Sequence, residues 1–186
     1  MAAPDAWTET ALINLNDGTT DSTIHAITET IDISIGDKAV ESIATISGGR
    51  LKKFSPQEDT EITFEGYPIG VGDKDATSQD GLDLFFNAGT DSIAPFSVSA
   101  SRSRTTFTVN VMWTDDTATS ATSSVASGKY ALRYTFSNCD MTSCKPSFTD
   151  GILKATYTFK CPPFNKAGTS NITVESTDGT ASLPTV

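Results

Sequence analysis

FTVNVMW (residues 107–113), YALRYTF (130–136) and LKATYTF (153–159) decide the fold class, because each alternates apolar and polar residues with hardly a break. Side chains of a strand point alternately to opposite faces, so Phe107, Val109, Val111 and Trp113 share one face of the first segment. Tyr130, Leu132, Tyr134 and Phe136 do so in the second, and Leu153, Ala155, Tyr157 and Phe159 in the third. Each segment is expected to bury one face and leave the other polar. The polar faces (Thr108, Asn110; Ala131, Arg133, Thr135; Lys154, Thr156, Thr158) hold no pair of side chains suited to catalysis. An ordinary antiparallel sheet and a protein that acts through its shape fit these segments equally well.

Working outward, Ile31, Ile33 and Ile35 alternate with Asp32 and Ser34 up to Gly36, and Glu61–Tyr67 alternates as cleanly, both reading as strands. Arg50–Phe54 is a short basic strand ended by Pro56, and 82–86, 96–100 and 171–176 are further strands. Residues 37–46 fit a short helix or a continuing strand. Asp150-Gly151 marks a hairpin turn. Residues 1–21 read as an N-terminal arm, 68–82 as a long loop rich in Gly and Asp, 114–129 as an exposed loop of small residues, and 177–186 as a polar tail. At 186 residues the whole chain, 1–186, is one domain.

Thirteen basic against twenty-three acidic residues give a net charge of −10, which opposes binding to nucleic acid, since a phosphate backbone is held by Lys and Arg. No apolar run nears the roughly 20 residues that span a bilayer, so no membrane insertion is expected. The start, MAAPDAWTET, lacks the basic and apolar blocks of a secretory signal. Two basic spots, Arg50/Lys52/Lys53 and Arg102/Arg104, interrupt the acidic chain. Together with the acidic loop residues Asp73, Asp75 and Asp80 they are candidates for contacts between copies, because segregated opposite charges suit head-to-tail association.

Catalytic and metal signatures are sparse. His25 is the single histidine, set among Thr23, Ile24, Ala26 and Ile27, and reads as an ordinary strand or arm residue. No phosphate loop, dinucleotide fingerprint or nucleophile elbow occurs. Cys139 and Cys144 lie in the stretch NCDMTSCKP, read as a loop, where they could bridge; with Cys161 and His25 they could also make a zinc set, but the spacing lacks close ligand pairs. Free cysteines are the default, and no metal, cofactor or enzymatic activity is expected. The acidic loop lacks calcium-loop spacing, with Lys74 in its middle. The sequon Asn171-Ile172-Thr173 carries meaning only on a secretory route.

Other stretches carry a resemblance: Gly48-Gly49-Arg50, Pro56-Gln57-Glu58-Asp59, Phe64-Glu65-Gly66-Tyr67-Pro68, and Phe159-Lys160-Cys161-Pro162-Pro163-Phe164 with Lys166, Gly168, Asn171 and Glu175. Over about half its length the chain resembles the major tail tube proteins of long-tailed bacterial and archaeal viruses. The resemblance implies an antiparallel β-sandwich or barrel with one short helix, assembled as stacked hexameric rings around a lumen. It also implies a virion location in the tail, assembly in the host cytoplasm, tail-tip and tail-terminator partners, and DNA passing without tight binding. Loop 68–82 and the arms 1–21 and 177–186 would contact adjoining rings. Asp32, Glu61 and Glu65 are the candidates for an acidic lumen wall, against which Lys154 and Arg133 on comparable polar faces would set positive charge. The inner tube of a contractile injection machine is one alternative. A monomeric β-sandwich adhesin or binding module is another, although Trp113 and the tyrosines lie in the alternating apolar set rather than on an exposed platform.

Overall fold

The computed structural model describes residues 10–16, 18, 21–24, 30–66, 106–117 and 120–186. The described chain is almost entirely strand: β1 (Thr10–Asn16), β2 (Asp21–Ile24), β3 (Asp32–Ser34), β4 (Val40–Ala44), β5 (Arg50–Phe54), β6 (Thr60–Gly66), β7 (Phe107–Thr114), β8 (Tyr130–Thr149), β9 (Ile152–Cys161) and β10 (Ile172–Asp178). Eight of them form one antiparallel sheet in the order β2-β1-β7-β8-β9-β6-β3, with β10 also paired to β8, while β4 and β5 form a separate ribbon. The large sheet curls into a half-barrel around its own apolar face. No α-helix occurs among the described residues.

The three alternating segments supply β7, β8 and β9, and their inward residues build the core. Val109, Val111, Phe136, Tyr157 and Phe159 are fully buried, joined by Ile13, Leu15, Ile62 and Phe64. Phe64 stacks on Phe159 at 5.9 Å between ring centres, and Phe107 meets Phe159 edge-on at 5.9 Å. Offset and edge-on contacts at this spacing suit the charge distribution of aromatic rings. The expected hairpin at Asp150-Gly151 is present, with φ of 55° and 77°, closing Thr149 against Ile152. Two positive φ angles in succession match the right-handed twist of the strands they join.

Several expectations are corrected. Within the supposed arm 1–21, residues 10–16 are a sheet strand between β2 and β7, because Ile13 and Leu15 complete the core. Residues 37–46, which fitted helix or strand, hold a strand at 40–44, and the one short helix expected of the fold does not occur among the described residues. The stretch containing Cys139 and Cys144 is no loop but the middle of the 20-residue β8. Pro146 is tolerated there because, among the described strands, this half of β8 pairs only with β9, leaving its other edge without ladder bonds to lose. The strands expected at 82–86 and 96–100, and loop 68–82, lie outside the described residues.

The polar second face of β7 and of the first half of β8 proves to be covered as well. Residues 120–126 and the C-terminal segment pack on the back of β1, β7 and β8, where Met112, Ala121, Val125, Ala131 and Leu183 form a second buried cluster. Asn14 Oδ1 accepts hydrogen bonds from the Ala121 N–H and the Ser120 hydroxyl, both at 3.0 Å. Val125 and Leu183 exchange backbone bonds of 2.9 and 3.0 Å, so the segment read as a polar tail is docked on the subunit's own sheet.

Arg133, expected on a wet face, is fully buried beneath this cover. Its Nε and Nη2 donate to Glu175 Oε2 at 3.0 and 2.6 Å; Nη1 donates to the Ser123 carbonyl and Nη2 to the Pro184 carbonyl. One guanidinium thus ties β8, β10, the 120s segment and the C-terminus together.

Removing one member of a buried ion pair leaves the other without compensation, at a cost of about 3–5 kcal/mol. Glu175→Ala is expected to lose stability of that order in denaturant melts, because it strands the fully buried Arg133 cation, whereas the carboxylate that Arg133→Ala leaves behind is a third exposed and can rehydrate. Asp116 provides a pH handle on the same cover. Its carboxylate accepts the Ala126 and Thr117 N–H bonds, which hold it below the usual carboxylate range. The depressed pKa adds stability above about pH 4 that disappears as pH falls through the folded value. Thermal melts from pH 5 to pH 2 should therefore fall less steeply for Asp116→Asn than for the parent.

Candidate assembly surfaces

Two surfaces carry the residues singled out from the sequence. The first is the β4–β5 ribbon, whose root is clamped. Ala39 N–H donates to Ser55 Oγ at 3.0 Å, Ser55 N–H to the Ala39 carbonyl, and Glu58 N–H to the Asp37 carbonyl. Gly36 lies so close to the next segment that a Cβ there would sit 2.0 Å from the Glu58 carbonyl oxygen. Beyond this root every residue of both strands is exposed.

Register pairs Val40 with Phe54, Ser42 with Lys52 and Ala44 with Arg50 on one face, and Glu41 with Lys53 and Ile43 with Leu51 on the other. Val40, Ile43, Leu51 and Phe54 are each at least half exposed, and Ile46 at the apex is entirely so. The ribbon is therefore apolar on both faces and covered by nothing in the described chain. Arg50, Lys52 and Lys53, with Lys38 placed 5.7 Å above the Phe54 ring, make it basic on an acidic protein. Glu41 meets Lys53 at 3.9 Å in open solvent, where such a pair adds little.

The second surface is the outward face of β3, β6, β9 and the far half of β8. Asp32, Glu61 and Glu65 do share it, since Asp32 pairs with Thr63 and Glu61 with Lys160 across the strands. They do not make it acidic, however. Lys154 and Lys160 of β9 and Asp140 and Lys145 of β8 lie on the same face by register. Glu61 and Lys160 form an ion pair at 3.8 Å, both half exposed. Thr63, Thr156 and Thr158 fill the centre, half-buried. The surface is hydroxyl-rich with nearly balanced charge.

Of the other candidates, Asp73, Asp75, Asp80, Arg102, Arg104 and His25 lie outside the described residues. No cluster of three metal-ligating side chains exists among the described residues, and no helix there is long and apolar enough to cross a membrane. All three cysteines are free thiols. The neighbour of Cys139 is Cys161, not Cys144. The Cys139 thiol donates to the Phe136 carbonyl and the Cys161 thiol to the Ser137 carbonyl; the interaction between the two neighbouring sulfurs pushes Cys139 up, as burial also does, and draws Cys161 down against the effect of burial. Asn171 of the sequon is buried, donating to the Pro162 carbonyl and accepting from Asn138, so the folded chain offers no glycosylation site there. The Arg133–Glu175 pair was missed because no motif marks it; only the β8–β10 register brings the two together.

No family model and no curated protein matches the chain. In fold it is similar to solved chains of contractile injection assemblies. One belongs to a structure of the anti-feeding prophage baseplate, symmetrised six-fold, at 12% identity with TM-score 0.55, covering 94% of this chain and 97% of that one. Another belongs to the sheath/tube terminator of the extracellular contractile injection system PVC in its extended state, at 15% identity with TM-score 0.52, covering 94% and 99%. The half-barrel is thus a fold found in tube-bearing injection particles.

Because Ile43 and Leu51 are exposed and, beyond pairing with each other, are covered by nothing among the described residues, Ile43→Ser with Leu51→Ser is expected to leave the unfolding midpoint of dilute protein unchanged, to within about 0.5 kcal/mol. Chemical denaturation of the double variant measures this directly.

Proposed function

We propose that this chain is a structural subunit that assembles with copies of itself into a tube, acting as a passive conduit without a catalytic step. The observation that carries the reading is the β4–β5 ribbon. A two-stranded hairpin is marginal in water on its own, yet this one projects with both faces apolar. Exposed apolar surface held on a rigid root marks an interaction site, and its basic charge fits the acidic remainder of a second copy. The fold shared with chains from tube-bearing particles supports the same reading. Stacked hexameric rings, with contributions from 68–82, Arg102 and Arg104, are the arrangement we favour.

In that arrangement the threonine-rich face with Asp32, Glu61 and Glu65 lines the lumen. Interleaved lysines would make it charge-balanced, so that cargo of either sign passes without sticking. Two uses compete: a viral tail tube that passes DNA, with tail-tip and terminator partners, and the inner tube of a contractile injection machine. The structural likenesses favour the second.

Negative-stain electron microscopy at rising protein concentration tests the proposal. Rings or hollow tubes are expected from the parent, and none from Ile43→Asp with Leu51→Asp, while both remain folded by circular dichroism. Monomers at every concentration, or tubes from both proteins, would overturn the role given to the ribbon. Duplex DNA should show no measurable retention at physiological salt; tight, salt-sensitive binding would remove the non-sticking lumen.

A further inference from the structure

Cys139 and Cys161 occupy the corner of the fold. Residues 130–136 of β8 pair with β7 on one edge and β10 on the other, whereas residues 140–149 pair with β9. Cys139 sits at the changeover, opposite Phe107 of β7, and register shifts flank it at Phe107/Val109 and Met141/Ser143. Continuing the β8–β9 register one step beyond its end pair, Asp140 with Lys160, brings Cys139 and Cys161 to facing positions, and Cys161 in turn pairs with Thr60 of β6. Both thiols are buried in the same core cluster, where the Cys139 thiol donates to the Phe136 carbonyl at 3.4 Å and the Cys161 thiol to the Ser137 carbonyl at 3.2 Å. Facing residues of an antiparallel pair have Cα atoms about 4.5–5.5 Å apart, inside the roughly 4.4–6.8 Å span of a disulfide.

We propose that Cys139 and Cys161 form an oxidisable dithiol site, and that a disulfide between them locks the corner where the half-barrel turns. The oxidant is a low-molecular-weight disulfide. A thiolate at Cys161 attacks one of its sulfurs, forming a mixed disulfide and expelling one small thiolate, which takes up a proton. Cys139 then loses its proton and attacks the Cys161 sulfur, expelling the second small thiol. Two protein S–H groups become one S–S bond, and one small disulfide becomes two thiols. Cys144, only half-buried and farther along β8, is outside the pair. The site is independent of whether the chain builds a tube.

The test equilibrates the full-length protein in glutathione buffers from reduced to oxidised, both in its native state and while refolding from denaturant. Acid quenching, alkylation of free thiols and non-reducing peptide mapping follow, and cleavage at Met141 separates Cys139 from Cys144. The expected result is a Cys139–Cys161 linked peptide with Cys144 alkylated, and a higher thermal midpoint than the reduced protein. Cys144→Ser should give the same bridge, and Cys161→Ser should lose both the bridge and the gain in midpoint. Alkylation of both Cys139 and Cys161 in native and refolded samples, or a bridge involving Cys144, would overturn the proposal.

Discussion

The buried Arg133 guanidinium is the constraint on which the back of this protein depends. A cation with no solvent contact must find acceptors for its donors, and it finds them in Glu175, Ser123 and Pro184. Those partners come from β10, the 120s segment and the chain terminus, three elements with little apolar surface of their own. Val125, Ala121 and Leu183 then bury a small cluster against Met112. Without the charge pair, a cover made of alanine, serine and threonine would have slight reason to close on one face of β7 and β8.

That arrangement explains which parts of the structure were legible in the sequence. Period-two alternation is visible wherever one face meets a large apolar core, so β3, β6, β7, β9 and the first part of β8 could be placed by eye, as could the Asp150-Gly151 turn. Alternation says nothing of the second face when its cover is small and polar. Asn110, Thr114 and Arg133 read as solvent-facing residues although all three are buried. Residues 138–146 misled for a related reason: Asn, Asp, Ser and Pro are turn formers by local chemistry, yet the open edge of β8 lets them continue a strand.

The candidate surfaces were legible only in part. Arg50, Lys52 and Lys53 were marked by charge alone, and the ribbon that carries them proves notable for Ile43, Ile46 and Leu51, which the sequence offers equally to a helix or a core strand. Asp32, Glu61 and Glu65 were correctly grouped on one face. The lysines on the same face come from β8 and β9, far later in the chain, and the charge of a sheet face is a property of pairing rather than of any one segment.

Finally, β8 is a single strand of 20 residues, roughly 65 Å if fully extended, that serves two neighbourhoods in succession. Its first half is held between β7 and β10 and its second by β9, so no cut through the sheet separates the halves without crossing β8 itself. The two neighbourhoods are thus joined by unbroken covalent chain as well as by hydrogen bonds, and a pull applied at one end of β8 reaches the other through backbone.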